Sequence, residues 1–259
     1  MTGGRYGDVS VDVDADFVAT VELHRPPANF FDVALISSLA EAYEDLDADD
    51  RCRAIVLCAE GKHFCAGADF TGASNAGPTK PGDLYTEAVR LFATAKPVVA
   101  AVQGAAVGGG LGLACAADFR VAGPGSRFSA NFARLGFHPG FGLTVTLSDI
   151  VGRQRALELL YTGVRIDGRQ AASIGLVDHL VPDDAEIRDE AHALATEIAE
   201  SAPLAVASIR QTMRGDLAER VRAATLHEQA EQARLQKTHD FGEGIRASAE
   251  RRDPSFEGR

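Results

Sequence analysis

The chain has 259 residues, 46% of them hydrophobic and 24% charged, with a formal net charge of −11. That length suits one α/β domain, or one domain with a helical appendage, and the acidic balance argues against nucleic acid or an anionic membrane as partner. No run approaches the roughly 20 apolar residues of a bilayer span, and the first residues carry no positively flanked apolar core, so a cytoplasmic protein without a leader is expected.

In chain order, Val9 to Leu23 alternates β-branched and polar residues about Asp14 to Asp16 and predicts a hairpin. Val33, Ile36, Leu39, Ala40, Tyr43 and Leu46 recur at helical spacing, with Asp32 as the N-cap. Arg53 to Ala59 is a short apolar run, as a buried parallel strand would be. Thr71 to Gly82 is rich in Gly, Pro, Ser and Thr and reads as a mobile loop, and Asp83 to Ala95 as a helix. Pro97 to Val102 predicts a second buried strand, followed by a glycine-rich turn, a small-residue helix and a strand at Phe119 to Ala122. Strands alternating with helices imply a largely parallel sheet.

Beyond Gly152 the pattern turns helical. Helices are expected over Arg153 to Thr162, Asp183 to Ser201, Pro203 to Met213 and Leu217 to Gln236. Ile187, Ala191, Leu194, Ala195 and Ile198 form one apolar stripe, and Asp167 with Gln170 forms a capping box for a short helix ending at Gly175. Cys52, Cys58, Cys65 and Cys115 show neither CxxC pairing nor zinc spacing. They are expected to be buried and reduced, with no metal site.

Two segments have the composition of a site. Gly61 to Phe70 follows one buried strand, and Gln103 to Ala114, with Gly108, Gly109 and Gly110, follows the other. Small residues let a backbone approach a ligand closely, and a helix beginning near Gly109 presents free N–H groups. Side by side, the two loops would aim two N–H groups at one oxygen, an oxyanion hole; two tight strand–helix turns would read the same way. GxxxxGK[ST] and GxGxxG are both absent, so a nucleotide fingerprint is not supported.

These residues resemble the crotonase (enoyl-CoA hydratase/isomerase) superfamily. The likeness rests on FCAGADF (Phe64 to Phe70) and KPVVAAVQGAAVGGGLGLACAADFRVA (Lys96 to Ala122). LHRPPANFFD, FARLGFHPGFG, GLVDHLVP and the tail from Glu243 support it. The resemblance implies an α/β crotonase-like ββα spiral core over 1–195, a helical C-terminal trimerisation region over 196–259, and a homotrimer or hexamer. It implies an acyl-CoA thioester as substrate, with coenzyme A as part of that substrate and no permanently bound cofactor. The Ala68 and Gly109 N–H groups would be the oxyanion donors. Ala66, Asp69 and Phe70 would lie by the adenine, and Arg25 and Lys62 by the phosphates; either cation would equally suit a solvated surface.

The chain departs from the family's proton-transfer groups. The two glutamates of the hydratases fall on Gly112 and Phe132, and the acid of isomerase-like members on Gly140. General acids and bases each contribute about 10²–10⁴-fold, so a relocated base is needed for hydration or isomerisation. His138, in the loop facing the acyl end in relatives, is the first candidate, against a loop histidine that only bonds backbone. His63, Asp69, Tyr85 and Glu87 are weaker candidates, and a nucleophilic Cys65 is not expected. Ser248 stands where many relatives carry a phenylalanine that packs on a neighbour's CoA. An enoyl-CoA hydratase/isomerase-like enzyme with a non-standard base is the leading reading. A non-catalytic acyl-CoA-binding paralogue, and a thioester hydrolase or C–C bond lyase, remain beside it.

Overall fold

The hairpin forms where alternation predicts it. β2 (Val9–Val13) and β3 (Val18–Leu23) pair antiparallel, with β1 (Gly4–Tyr6) on the outer edge of β2. Asp14 Oδ1 closes the turn by accepting from the N–H groups of Asp16, at 2.8 Å, and Val18, at 3.0 Å. The computed structural model describes residues 3–68 and 81–259. Asp69, Phe70 and the 71–80 part of the expected loop therefore lie outside the described residues.

Asp32 caps α1 (Val33–Asp47) by accepting from Leu35 N–H at 2.9 Å. β4 (Ala54–Ala59) and β5 (Val98–Val102) are buried along their whole length, as unbroken apolar runs require in a sheet covered on both faces. α2 (Pro81–Ala93) joins them, opening two residues before the expected Asp83. Then come β6 (Ala105–Val107), α3 (Gly109–Ala116), β7 (Phe119–Ala122) and β8 (Arg127–Ser129). α4 (Leu143–Val151) and α5 (Arg153–Thr162) precede β9 (Arg165–Asp167), α6 (Gly168–Ser173) and β10 (His179–Leu180). The expected capping box at Asp167 and Gln170 is present. Four helices finish the chain: α7 (Ile187–Glu200), α8 (Pro203–Arg214), α9 (Leu217–Leu235) and α10 (His239–Glu250).

The large sheet has the order β1-β2-β3-β4-β5-β7-β10 and is parallel from β3 onward. A second sheet, β6-β8-β9, was not foreseen. Its strands are three residues long, too short for any periodicity to show. Successive passes give one strand to the large sheet and one to the small: β5 then β6, β7 then β8. Cys65 adds a bridge to Ala106 on the small sheet's edge. This is the ββα spiral that the resemblance implies.

Alternate residues of each parallel strand enter different cores. Val56, Cys58, Val99, Ala101 and Val121 pack against Ile187, Ala191, Ala195 and Ala199 of α7. Ile55, Leu57, Val98 and Ala100 face the larger core with α1, α2 and α3. The division at 195/196 falls inside α7, which lies on the sheet. All four cysteines are buried.

Candidate active site

The site forms where β4 and β5 leave the sheet at their C-terminal ends. After β5 the chain crosses to β6 and turns into α3 at Gly108, whose φ of 57° and ψ of −122° suit only glycine. The Gly108 carbonyl accepts from Leu111 N–H at 3.1 Å and Gly112 N–H at 3.2 Å, so it points along the helix. In a trans peptide the next N–H points the opposite way, and the Gly109 N–H leaves through the N-terminal end of α3.

The segment after β4 runs beside β6: Cys65 N–H donates to Ala105 O at 2.9 Å and Val107 N–H to Cys65 O at 3.1 Å. Gly67, at φ 98°, then reverses the alternation. Its carbonyl accepts from Phe31 N–H at 3.0 Å, so the Ala68 N–H in the same peptide plane points away from Phe31. A Cβ on Gly67 would meet Val107 O at 2.9 Å and Gly109 N at 3.8 Å, which measures how closely the two turns approach. Ala68 and Gly109 line the same cavity, and among the described residues neither N–H has a protein acceptor. Phe31 fixes the spacing: a Cβ on Gly109 would lie 2.7 Å from its Cε1.

That cavity measures about 1050 Å³. Its wall is aromatic, with Phe31, Phe132, Phe137 and Phe141 all buried. Phe31 stacks edge-to-face on Phe141, and Phe132 on Phe137, each at 5.4 Å between centroids. Tyr85, Asn131, Gln232 and Ser248 add polar groups. Lys62, Arg127 and Arg165, all exposed, line its outer part with His63, and none of the three cations is ion-paired among the described residues. His63 Nδ1 accepts from Ala105 N–H at 3.2 Å. Burial, then Lys62 and Arg165, lower the pKa of this ring, so it stands neutral.

The three positions at which the resemblance would place carboxylates, Gly112, Phe132 and Gly140, are closed by packing. A Cβ on Gly112 would lie 2.7 Å from Phe141 Cβ. Phe132 is 5% exposed within its stack. A Cβ on Gly140 would fall against the Tyr85 hydroxyl and 2.7 Å from Gln232 Nε2.

A family model described as enoyl-CoA hydratase/isomerase matches residues 14–259. The chain belongs to the enoyl-CoA hydratase/isomerase family. It is 33% identical over 255 residues to a probable enoyl-CoA hydratase of Bacillus subtilis (strain 168), covering 96% of this chain and 98% of that protein. It is 32% identical over 252 residues to a 1,2-epoxyphenylacetyl-CoA isomerase of Escherichia coli (strain K12), covering 93% and 95%. A crystal structure of an enoyl-CoA hydratase/isomerase from Pseudoalteromonas atlantica T6c superposes with a TM-score of 0.86 at 29% identity, over 96% of this chain and all of that one.

Within this family member, Ala68, Gly109, Ala66 and Lys62 come together at one cavity. His138 and Arg25 are not among its lining residues. The His138 ring lies 5.6 Å from that of His227, with Nδ1 2.8 Å from Pro139 O, and its own carbonyl accepts from Gln232 Nε2 at 2.9 Å. Arg25 pairs with Asp8 at 2.7 Å and Asp32 at 2.8 Å. Glu87 pairs with Arg90. Cys65 is fully buried, and burial pushes its thiol up to about 12. Arg127, Arg165, Asn131 and Gln232 reach the cavity without a sequence signal, because they come from two strands, a turn and a helix set apart in the chain.

Proposed function

We propose that the cavity binds an acyl-CoA thioester and stabilises its enolate between the Ala68 and Gly109 N–H groups. The observation that carries this reading is the pair of N–H groups with no acceptor among the described residues, each pointing opposite to the Gly67 or Gly108 carbonyl that shares its peptide plane and is held by its own hydrogen bonds. The positive end of the α3 dipole adds to the field on the oxygen. Lys62, Arg127 and Arg165, with no ion-pair partner among the described residues, give a polyanionic nucleotide a local cationic entrance on a protein of net charge −11. His138 and Arg25 have no part in it, since one ring faces His227 and the other side chain is held by two aspartates.

The test is the carbonyl itself. Binding a thioester labelled with ¹³C at the carbonyl should lower its stretching frequency, because two donors polarise the C=O bond. An unshifted band in a saturated complex would sink the assignment.

We also propose a trimer or hexamer built with the C-terminal helices. α8 has no buried residue, and Leu204, Ile209 and Met213 are 86%, 62% and 80% exposed. Such a patch on a long amphipathic helix suits burial against further copies of the chain.

A further inference from the structure

Resting on the acyl-CoA reading, we propose that the enolate arises here by loss of a carboxylate from the α-carbon, with Tyr85 as the acid that protonates that carbon. The substrate class is then a 2-carboxyacyl thioester.

The argument starts from what faces the cavity. Asp32 is its carboxylate among the described residues, and that group caps α1 and pairs with Arg25. The buried Glu228 caps α4 instead, accepting from Gly142 N–H at 2.9 Å and Thr144 N–H at 3.2 Å. Phe141 fills the space beside Gly112, and Phe132 replaces a carboxylate outright. Drawing a proton from carbon or from water needs a free base, and among the described residues the remaining candidate on this wall, His63, has Nδ1 taken by the Ala105 N–H at 3.2 Å. Losing CO₂ needs none, because the bonding pair stays with the α-carbon.

Tyr85 supplies the other half. Its hydroxyl sits against Gly140, where isomerase-like relatives carry an acid. Gln232 holds it: Nε2 is fixed on His138 O at 2.9 Å, which turns Oε1 to accept from the Tyr85 hydroxyl. Burial, with Glu228 nearby, raises the phenol pKa above its ordinary value, so it stays protonated and able to donate. Phe31, Phe132 and Phe141 strip water from a carboxylate placed among them, and that charge disperses as CO₂ departs.

The step balances. The bond from the α-carbon to the carboxylate carbon breaks and CO₂ leaves. The electron pair becomes the enolate, with its negative charge on the thioester oxygen between Ala68 and Gly109. The Tyr85 hydroxyl then turns from Gln232 and gives its proton to the α-carbon, and water reprotonates the phenolate. The net change is 2-carboxyacyl thioester plus one proton to acyl thioester plus CO₂.

The test incubates the full chain with malonyl-CoA and its 2-methyl and 2-ethyl homologues in D₂O, following CO₂ and the acyl-CoA product. Decarboxylation with a single deuterium at the α-carbon is expected, while hydration of crotonyl-CoA and α-proton exchange of butyryl-CoA are roughly 100-fold slower or more. Tyr85→Phe should lower kcat about 100-fold with KM within about threefold, and Gln232→Leu should lower kcat less, by about tenfold. Three results would overturn the proposal: acyl-CoA binding with no decarboxylation, crotonyl-CoA hydration as fast as decarboxylation or lost in Asp69→Asn, or unchanged kcat in a folded Tyr85→Phe. Failure of every CoA thioester to bind would instead overturn the acyl-CoA reading itself.

Discussion

The Cβ of Phe141 stands 2.7 Å from where a Cβ on Gly112 would be. Phe141 holds this place with a φ of 61°, unusual for a bulky residue, and its ring stacks on Phe31. A carboxylate at the position where the resemblance would place one is therefore excluded by packing as much as by sequence: the space it would use belongs to an aromatic ring.

Gly112→Glu should accordingly fail to create a hydratase. Overpacking at this buried position should cost about 1–3 kcal/mol of stability. Urea denaturation and crotonyl-CoA hydration, run on the single variant and on Gly112→Glu with Phe141→Ala, check both parts. A stable, hydrating single variant would show that the ring yields freely.

The Gly109 N–H is expected to act on the transition state more than on binding. Gly109→Pro removes the donor, and a lost oxyanion donor costs roughly 10²–10³ in kcat, or about 3–4 kcal/mol. Gly109→Ala keeps the N–H but drives a methyl into Phe31, so pairing it with Phe31→Ala should recover more activity than Gly109→Pro retains. Steady-state kinetics with calorimetric CoA affinities separate the two effects.

Lys62 and Arg165 should govern affinity for the nucleotide end. Each exposed charge contributes up to about 1 kcal/mol, so Lys62→Gln and Arg165→Gln should each weaken acyl-CoA binding about fivefold. Added salt should narrow the difference. Isothermal titration at two ionic strengths measures it; variants with unaltered affinity would move the phosphates elsewhere.

Asp118 should make stability acid-sensitive. Burial alone would push its carboxyl up, but Arg210 at 2.9 Å and Arg214 at 2.8 Å, with the Val98 N–H, outweigh that and hold it below the ordinary value. With the folded value depressed, the unfolded chain takes up the proton first. The contribution is complete at neutral pH and is lost as pH falls below about 4. Asp118→Ala should cost about 3–5 kcal/mol at pH 7, because two cations stay behind without their carboxylate, and should flatten the acid limb of stability against pH. Urea midpoints across pH test the sign.

Charging the exposed face of α8 tests the assembly. Leu204→Asp with Met213→Asp should yield a folded monomer in light scattering, and the native chain is expected to scatter as a trimer or a multiple of it.

Regular elements were legible wherever one period ran long enough. The helix over Val33–Asp47, with its cap at Asp32, and the buried strands at Ala54–Ala59 and Val98–Val102 follow from apolar spacing alone. The three-residue strands of the second sheet and α10, interrupted by Gly242 and Gly244, carry no such signal. The two glycine-bearing turns could be picked out because close backbone approach needs small residues. His138 drew notice because a histidine in a loop can titrate, and only packing shows its ring turned toward His227.

By itself the sequence determined the family, the parallel core and the lack of carboxylates at Gly112, Phe132 and Gly140, because local periodicity and residue identity are properties of the chain. The tertiary structure decided what fills those places. Phe141, Tyr85 and Gln232 come from a turn and two helices remote in sequence, and they meet because α2 and α9 pack together. Which side chain occupies a vacated space depends on steric exclusion between distant segments, and no spacing along one strand of text encodes that.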